Sequence, residues 1–287
     1  MADIPVFFLH GLAYASLLFL VSSGLTLVFG LMNVLNFAHA AFYMLGAYFS
    51  YSIFRLTGQF WLSFLLCPVL LFILGALVER FLLRRVHRFG HLHELLLTFG
   101  VAYIITELVK FFWGNYALSV SLDGFLTKSV SFFSIEYPVY RLFIIACAVV
   151  VGLLMYLVIY KTRVGIVVRA AVDDSEMVDA LGINVQFVFM SVFAAGAALS
   201  GFAGVIAGPL LTTYPGMASD ILIDAFVVIV VGGFGSLGGA MLSSVIIGEL
   251  QSFGVLLFPS LALALVYLLM AIVLIVKPSG LFGVEQS

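Results

Sequence analysis

Asn33, Asn36 and His39 fall close together in the stretch Gly30-Leu31-Met32-Asn33-Val34-Leu35-Asn36-Phe37-Ala38-His39, between two long apolar runs, and Glu249 stands inside a third. Intramembrane polar groups are costly and tend to face a pathway. Non-helical backbone at depth is tolerated where it is buried in protein or lines a cavity. A broken helix also frees N–H and C=O groups that can meet both ends of a zwitterion. Asn33, Asn36, His39 and Glu249 are therefore candidates for a solute pathway. A second reading stays open, in which Asn33 and Asn36 cap the following helix. His39 reads first as a hydrogen-bonded packing residue, and Glu249 as facing a polar cavity or a neighbouring helix.

Other chemistries find no support in the sequence. No pair of carboxylates, Ser/Lys dyad or His-rich metal motif falls at matching depth on adjacent spans, which argues against an intramembrane enzyme. His87, His91, His93 and Glu94 imitate a metal site, but Arg84, Arg85 and Arg88 beside them point to headgroup contact. Gly232-Gly233-Phe234-Gly235-Ser236-Leu237-Gly238-Gly239 lacks the Lys-Ser/Thr of a phosphate loop and reads as a helix interruption, so no nucleotide or metal cofactor is expected in this chain. Cys67 and Cys147 each lie in an apolar run and read as packing residues. No basic tract suggests nucleic acid.

Residues 161–185 form the longest polar interruption rich in charge. Asp174 or Ser175 can cap a short helix through Leu181, and Gly182 is placed to end it. Met177, Val178 and Leu181 make an apolar strip ringed by Asp173, Asp174, Glu176 and Asp179. Such a helix suits docking into a groove on a partner. Anionic lipid would repel its acidic face.

Apolar residues make up 64% of the 287 residues and charged ones 9%, and the mean hydropathy is +1.27. A soluble domain carries roughly 25% charged residues, so a bilayer must solvate this chain. Apolar runs fall at about 8–30, 34–54, 60–83, 92–112, 139–160, 186–210, 221–237, 240–258 and 261–276, the seventh and eighth being either two spans or a broken hairpin. The expected fold is an all-α polytopic membrane protein of eight or nine transmembrane helices, one permease domain over residues 1–287. Asp3 is the only early charge and no cleavage site ends the first run, so that run reads as a retained span. Arg80, Arg84, Arg85, Arg88, Lys161, Arg163, Arg169 and Lys277 all fall on one side when the N-terminus is outside. The positive-inside rule then places that side, with the C-terminus, in the cytoplasm. Ser23–Gly30 resembles Ser200–Ala207, and the two copies run in opposite directions, which suggests an inverted repeat with halves of about 8–112 and 186–276. Gly196, Ser200, Gly204 and Gly208 recur every fourth residue and predict close helix packing.

Gly24-Leu-Thr-Leu-Val-Phe-Gly-Leu-Met-Asn-Val-Leu-Asn-Phe-Ala-His-Ala-Ala-Phe-Tyr-Met-Leu-Gly-Ala-Tyr48 resembles the signature of branched-chain amino acid ABC transporter permeases. Glu79-Arg80, Leu97-Thr98-Phe99-Gly100, Arg169-Ala170-Ala171 through Gly182-Ile183-Asn184, and Lys277-Pro-Ser-Gly-Leu-Phe-Gly283 resemble the same family, in the same order. Many relatives have Gly-Glu where this chain has Ala40-Ala41, which leaves the solute in doubt. The resemblance implies an inner-membrane permease of a bacterial cell, paired with a second homologous permease and two cytoplasmic ATPase subunits that bind ATP and Mg. An extracytoplasmic solute-binding protein delivers the solute. Residues 169–184 would act as the coupling segment, through Arg169, Asp173, Asp174, Glu176, Met177, Val178, Leu181 and Gly182. The family serves branched-chain amino acids and also urea and short amides. The competing class is an ion-coupled secondary transporter using Glu249 or His39.

Overall fold

The computed structural model describes residues 4–122, 124–132 and 135–283; Asp3 lies outside them. In chain order the helices are α1 (Ile4–Met32), α2 (Ala38–Thr57), α3 (Phe60–Val78), α4 (Arg84–Val86), α5 (His91–Trp113), α6 (Val139–Lys161), α7 (Arg163–Asp173), α8 (Ser175–Ala180), α9 (Val185–Ala207), α10 (Met217–Gly232), α11 (Leu237–Leu257) and α12 (Ala262–Val276). A π-helical turn, Glu79–Leu83, continues α3 into α4. Strands β1 (Ser129–Phe132) and β2 (Ile135–Pro138) pair antiparallel in the segment before α6.

Every apolar run read from the sequence is a helix, in keeping with the expected all-α polytopic membrane fold. Among the described residues, six stretches are long and apolar enough to cross a membrane by length and composition: Ile4–Met32, Phe60–Phe89, His91–Trp113, Val139–Lys161, Val185–Ala207 and Leu237–Leu257. α10 and α12 have 16 and 15 residues, which at 1.5 Å per residue reach only about 24 Å against roughly 30 Å of hydrocarbon. α2 is long enough but carries His39, Tyr43, Tyr48, Ser50 and Ser52, and it buries most of its first half inside the bundle. The break at 233–236 resolves α10 and α11 into two helices.

α9 is the axis of the packing, with α1, α2 and α3 laid against it. Its small residues permit this. A Cβ on Gly196 would sit 2.6 Å from Val28 Cγ2, and one on Gly204 would sit 1.9 Å from Tyr43 O. Backbones can approach this closely only where no side chain intervenes. Ser200 donates its hydroxyl to His39 O at 2.6 Å. Gly208 differs from the other three: its nearest neighbours lie at ordinary van der Waals distance, 3.6 Å and beyond, and it ends the helix. The packing is reciprocal, since α1 lies along α11 as α9 lies along α3.

Contacts sort the helix ends into two sets. At one end, Gly30 faces Gly235, Thr98 accepts from Phe37 N, and Arg84 reaches Gln186. The same end holds Arg80, Arg85, Arg88 and Lys161, and is called the basic end below. At the other end, Leu118 and Thr213 exchange backbone hydrogen bonds of 2.8 Å, and Trp113 Nε1 donates to Ser52 Oγ at 2.7 Å.

Candidate functional site

Asn33 closes α1 in the left-handed region (φ 53), its N–H donating to Phe29 O at 2.8 Å. α2 then starts at Ala38 with no side-chain cap. The capping reading of Asn33 and Asn36 therefore fails, and residues 33–37 are non-helical backbone at the basic end. Asn33 is exposed there, whereas Asn36 and His39 are buried. His39 donates Nε2–H to Val21 O at 2.9 Å, which leaves Nδ1 as an acceptor without a protein partner. Asn36 Oδ1, Ser22 Oγ and Thr26 Oγ1 are likewise buried and unpartnered. Buried polar atoms left this way are uncommon and mark strain or function.

A cavity of about 520 Å³ lies between α2, α5 and α10. Phe37, Ala40, Ala41, Phe99 and Ala102 form its apolar wall. Thr106, Glu107, Lys110, Asn115 and Ser219 give it a polar mouth toward the end opposite the basic one. Lys110 Nζ and Glu107 Oε1 pair with each other at 2.7 Å, one turn apart along α5. The mouth thus offers one cation and one anion next to an apolar wall, the complement of a small zwitterion with an apolar side chain. Nearby, Tyr214 donates its hydroxyl to Asp220, and holding that proton against a carboxylate raises the Tyr214 pKa.

The four pathway candidates do not converge. Asn33, Asn36 and His39 are not among the residues that line the cavity, although their neighbours Phe37, Ala40 and Ala41 are, and Glu249 lies between α1 and α11, where a Cβ on Gly11 would fall 2.6 Å from Glu249 Oε2. Both carboxylate oxygens of Glu249 lack partners. Asp224 accepts from Tyr14 OH at 2.5 Å, tying α1 to α10. Sequence reasoning placed Glu107 and Lys110 near the end of their helix but missed Thr106, Asn115 and Ser219, whose only signal is polarity one helical face away from apolar neighbours.

The charged segment is two helices, not one. Thr162 Oγ1 caps α7, accepting from Gly165 N at 3.2 Å, and Asp174 Oδ1 caps α8, accepting from Met177 N at 2.9 Å. Gly182 follows at φ 83. Met177 (57%) and Leu181 (72%) are exposed, but Val178 (3%) is buried, so the apolar strip is split between outside and inside. Arg169 donates to Ile159 O and lies over the Tyr160 ring at 5.4 Å. It locks α7 against the end of α6 and does not project outward. Asp173, Asp174, Glu176 and Gly182 remain exposed. Among the described residues no group of three metal ligands forms. Glu94 is instead paired with His87 and His91.

An all-α bundle with exposed apolar belts, a polar-mouthed cavity beside a broken helix and a charged surface segment defines a multi-pass transport permease, not an enzyme. Comparison with known proteins is specific. Residues 7–276 match the family model for the permease component of branched-chain amino acid transport systems. The high-affinity branched-chain amino acid transport system permease protein BraD of Pseudomonas aeruginosa is 28% identical over 290 residues, covering 96% of this chain and 94% of the relative. LivH of Salmonella typhimurium, a permease of the same description, gives the same figures. The probable branched-chain amino acid transport permease LivH of Methanocaldococcus jannaschii is 28% identical over 298 residues, covering 95% and 90%. The chain belongs to the family of branched-chain amino acid transport permease components, and it is a multi-pass protein of the inner membrane. No solved structure matches it.

Proposed function

We propose that this chain is one permease subunit of an ATP-driven importer that carries branched-chain amino acids into the cell. The full assembly would pair it with a second homologous permease, two cytoplasmic ATPase subunits that bind ATP and Mg, and an extracytoplasmic solute-binding protein. The observation that carries this reading is the α7–α8 segment at the basic end. It presents Met177 and Leu181 outward among Asp173, Asp174, Glu176 and Asp179, while Val178 and Arg169 fasten it to the bundle. A lipid-bound helix would show its basic, not acidic, face to anionic headgroups. The basic end is then cytoplasmic, and the N-terminus and the β1–β2 hairpin are outside.

Solute would enter at Glu107, Lys110 and Asn115 and follow the α2–α5–α10 cavity toward residues 33–37. Branched side chains suit the wall of Phe37, Ala40, Ala41 and Ala102 better than urea does. The reciprocal packing of α1 on α11 and α9 on α3 supports inverted halves of about 8–112 and 186–276 rocking against each other. Reconstitution with the subunits that copurify with it tests the reading. ATP-dependent leucine uptake is expected; uptake by the isolated chain on an ion gradient alone would sink it.

A further inference from the structure

The π-helical turn Glu79–Leu83 interrupts the α-helical course between α3 and α4, and an ion pair between buried Glu79 and half-buried Arg84 spans it. π-turns are rare and recur at functional places. Glu79 has a side chain only 3% exposed, and Arg84 Nη2 lies 3.2 Å from its Oε2. The same guanidinium leaves this turn to reach another helix: Nη2 donates to Gln186 O at 3.1 Å and Nη1 to Gln186 Oε1 at 3.3 Å. A second contact reinforces the junction, with the His87 ring 6.1 Å from that of Phe189.

Gln186 sits in the first turn of α9, directly after the charged segment. Asn184 caps that turn through Phe187 N at 2.9 Å, and Ile183 N donates back to Val178 O of α8 at 3.3 Å. This bond ties α8 to the chain three residues before Gln186. On the other side of the junction, the π-turn and the short α4 lead into α5, the helix that carries Glu107 and Lys110 at the cavity mouth. Glu94, in the first turn of α5, is itself buried and paired with His87, so the segment just after α4 is tied to the start of α5.

We infer that Arg84 is a positioning residue that carries motion of α8 across to α5 through the Gln186–Arg84–Glu79 bridge, with the π-turn absorbing the change. A packing role alone would be served by an apolar side chain, since burying a carboxylate is costly unless it is paired. The planar fork of Arg is what joins a carboxylate and a carbonyl on two helices at once.

This inference rests on the importer reading, and the test separates the two. The assembled transporter, purified through a tag on this chain, carries spin labels at Leu257→Cys with either Glu176→Cys on α8 or Leu96→Cys on α5. Distances are measured with and without MgATP. With Arg84 intact, both distances should shift. In Arg84→Ala the α8 distance should shift as before, while the α5 shift falls at least two-fold. Arg84→Lys, which keeps the charge but not the fork, should show the same split. Equal α5 shifts with and without Arg84 would overturn the inference alone, as would loss of both shifts together in the variants, the mark of a merely structural role. Absence of any α8 shift in the parent would overturn the importer reading and this inference with it.

Discussion

At the scale of single residues, backbone contact decides which positions tolerate change. Tyr43 O lies where the Cβ of any larger residue at 204 would go, so Gly204→Val must push α2 off α9. Overpacking of this kind costs about 1–3 kcal/mol, and a lower thermal unfolding midpoint in detergent is expected, whereas Gly208→Ala should leave the midpoint unchanged. Glu249 makes the opposite case. Its carboxylate has no partner in the α1–α11 seam, so Glu249→Gln should match or exceed the parent in stability. Retained leucine uptake by this variant is also expected, because Glu249 does not line the cavity; loss of uptake with normal stability would return it to the pathway. The single-residue features were only half legible. Asn36 and His39 stood out as polar residues among apolar ones, but a one-dimensional pattern could not show that Glu249 turns toward Gly11 and away from them.

At the scale of elements, the sequence located each apolar helix within a few residues because hydrophobic length is a strong constraint in lipid. It also narrowed the α8 cap to Asp174 or Ser175, of which Asp174 is the cap, and placed a stop at Gly182. It did not show that Arg163–Asp173 is a separate helix: Gly165 and Ala171 face inward, but Val164, Ile166 and Val172 are apolar yet exposed, so apolar residue type does not mark the inward face there. The β1–β2 hairpin was missed for a related reason: it is too short for a period to register. α7 turns back so tightly on α6 that a Cβ on Gly165 would lie 2.1 Å from Ile159 O. Replacement of Met177 and Leu181 together by Asp should spare folding, since both side chains are exposed, and abolish copurification of the ATPase; undiminished copurification would place the docking surface elsewhere.

At the scale of the whole molecule, large apolar side chains on α3, α5 and α6 stay exposed, among them Leu65, Val69, Ile104, Phe111, Val149 and Leu153. A soluble fold seldom shows patches of this extent, in keeping with a multi-pass protein of the inner membrane. Both native thiols are buried, so the chain offers a quiet background for introduced cysteines. Ser129→Cys in the hairpin should react with a membrane-impermeant maleimide in intact cells and Glu176→Cys should not; the reverse labelling would invert the topology. Ser219→Cys at the cavity mouth should also react, at a rate reduced several-fold by saturating leucine.

The final described residues have a part in when the bundle can be completed. Leu281 N and Phe282 N donate to Val231 O and Gly232 O at 2.8 and 3.0 Å, filling carbonyls that a helix leaves bare at its C-terminal end. α10, too short to cross the bilayer unaided, thus has its C-terminal end sealed by chain that leaves the ribosome only after α11 and α12. A nascent permease must hold that end open to solvent or lipid until those two helices have been made, and a polypeptide interrupted before Leu281 would carry α1 to α12 yet lack the stitch that closes α10.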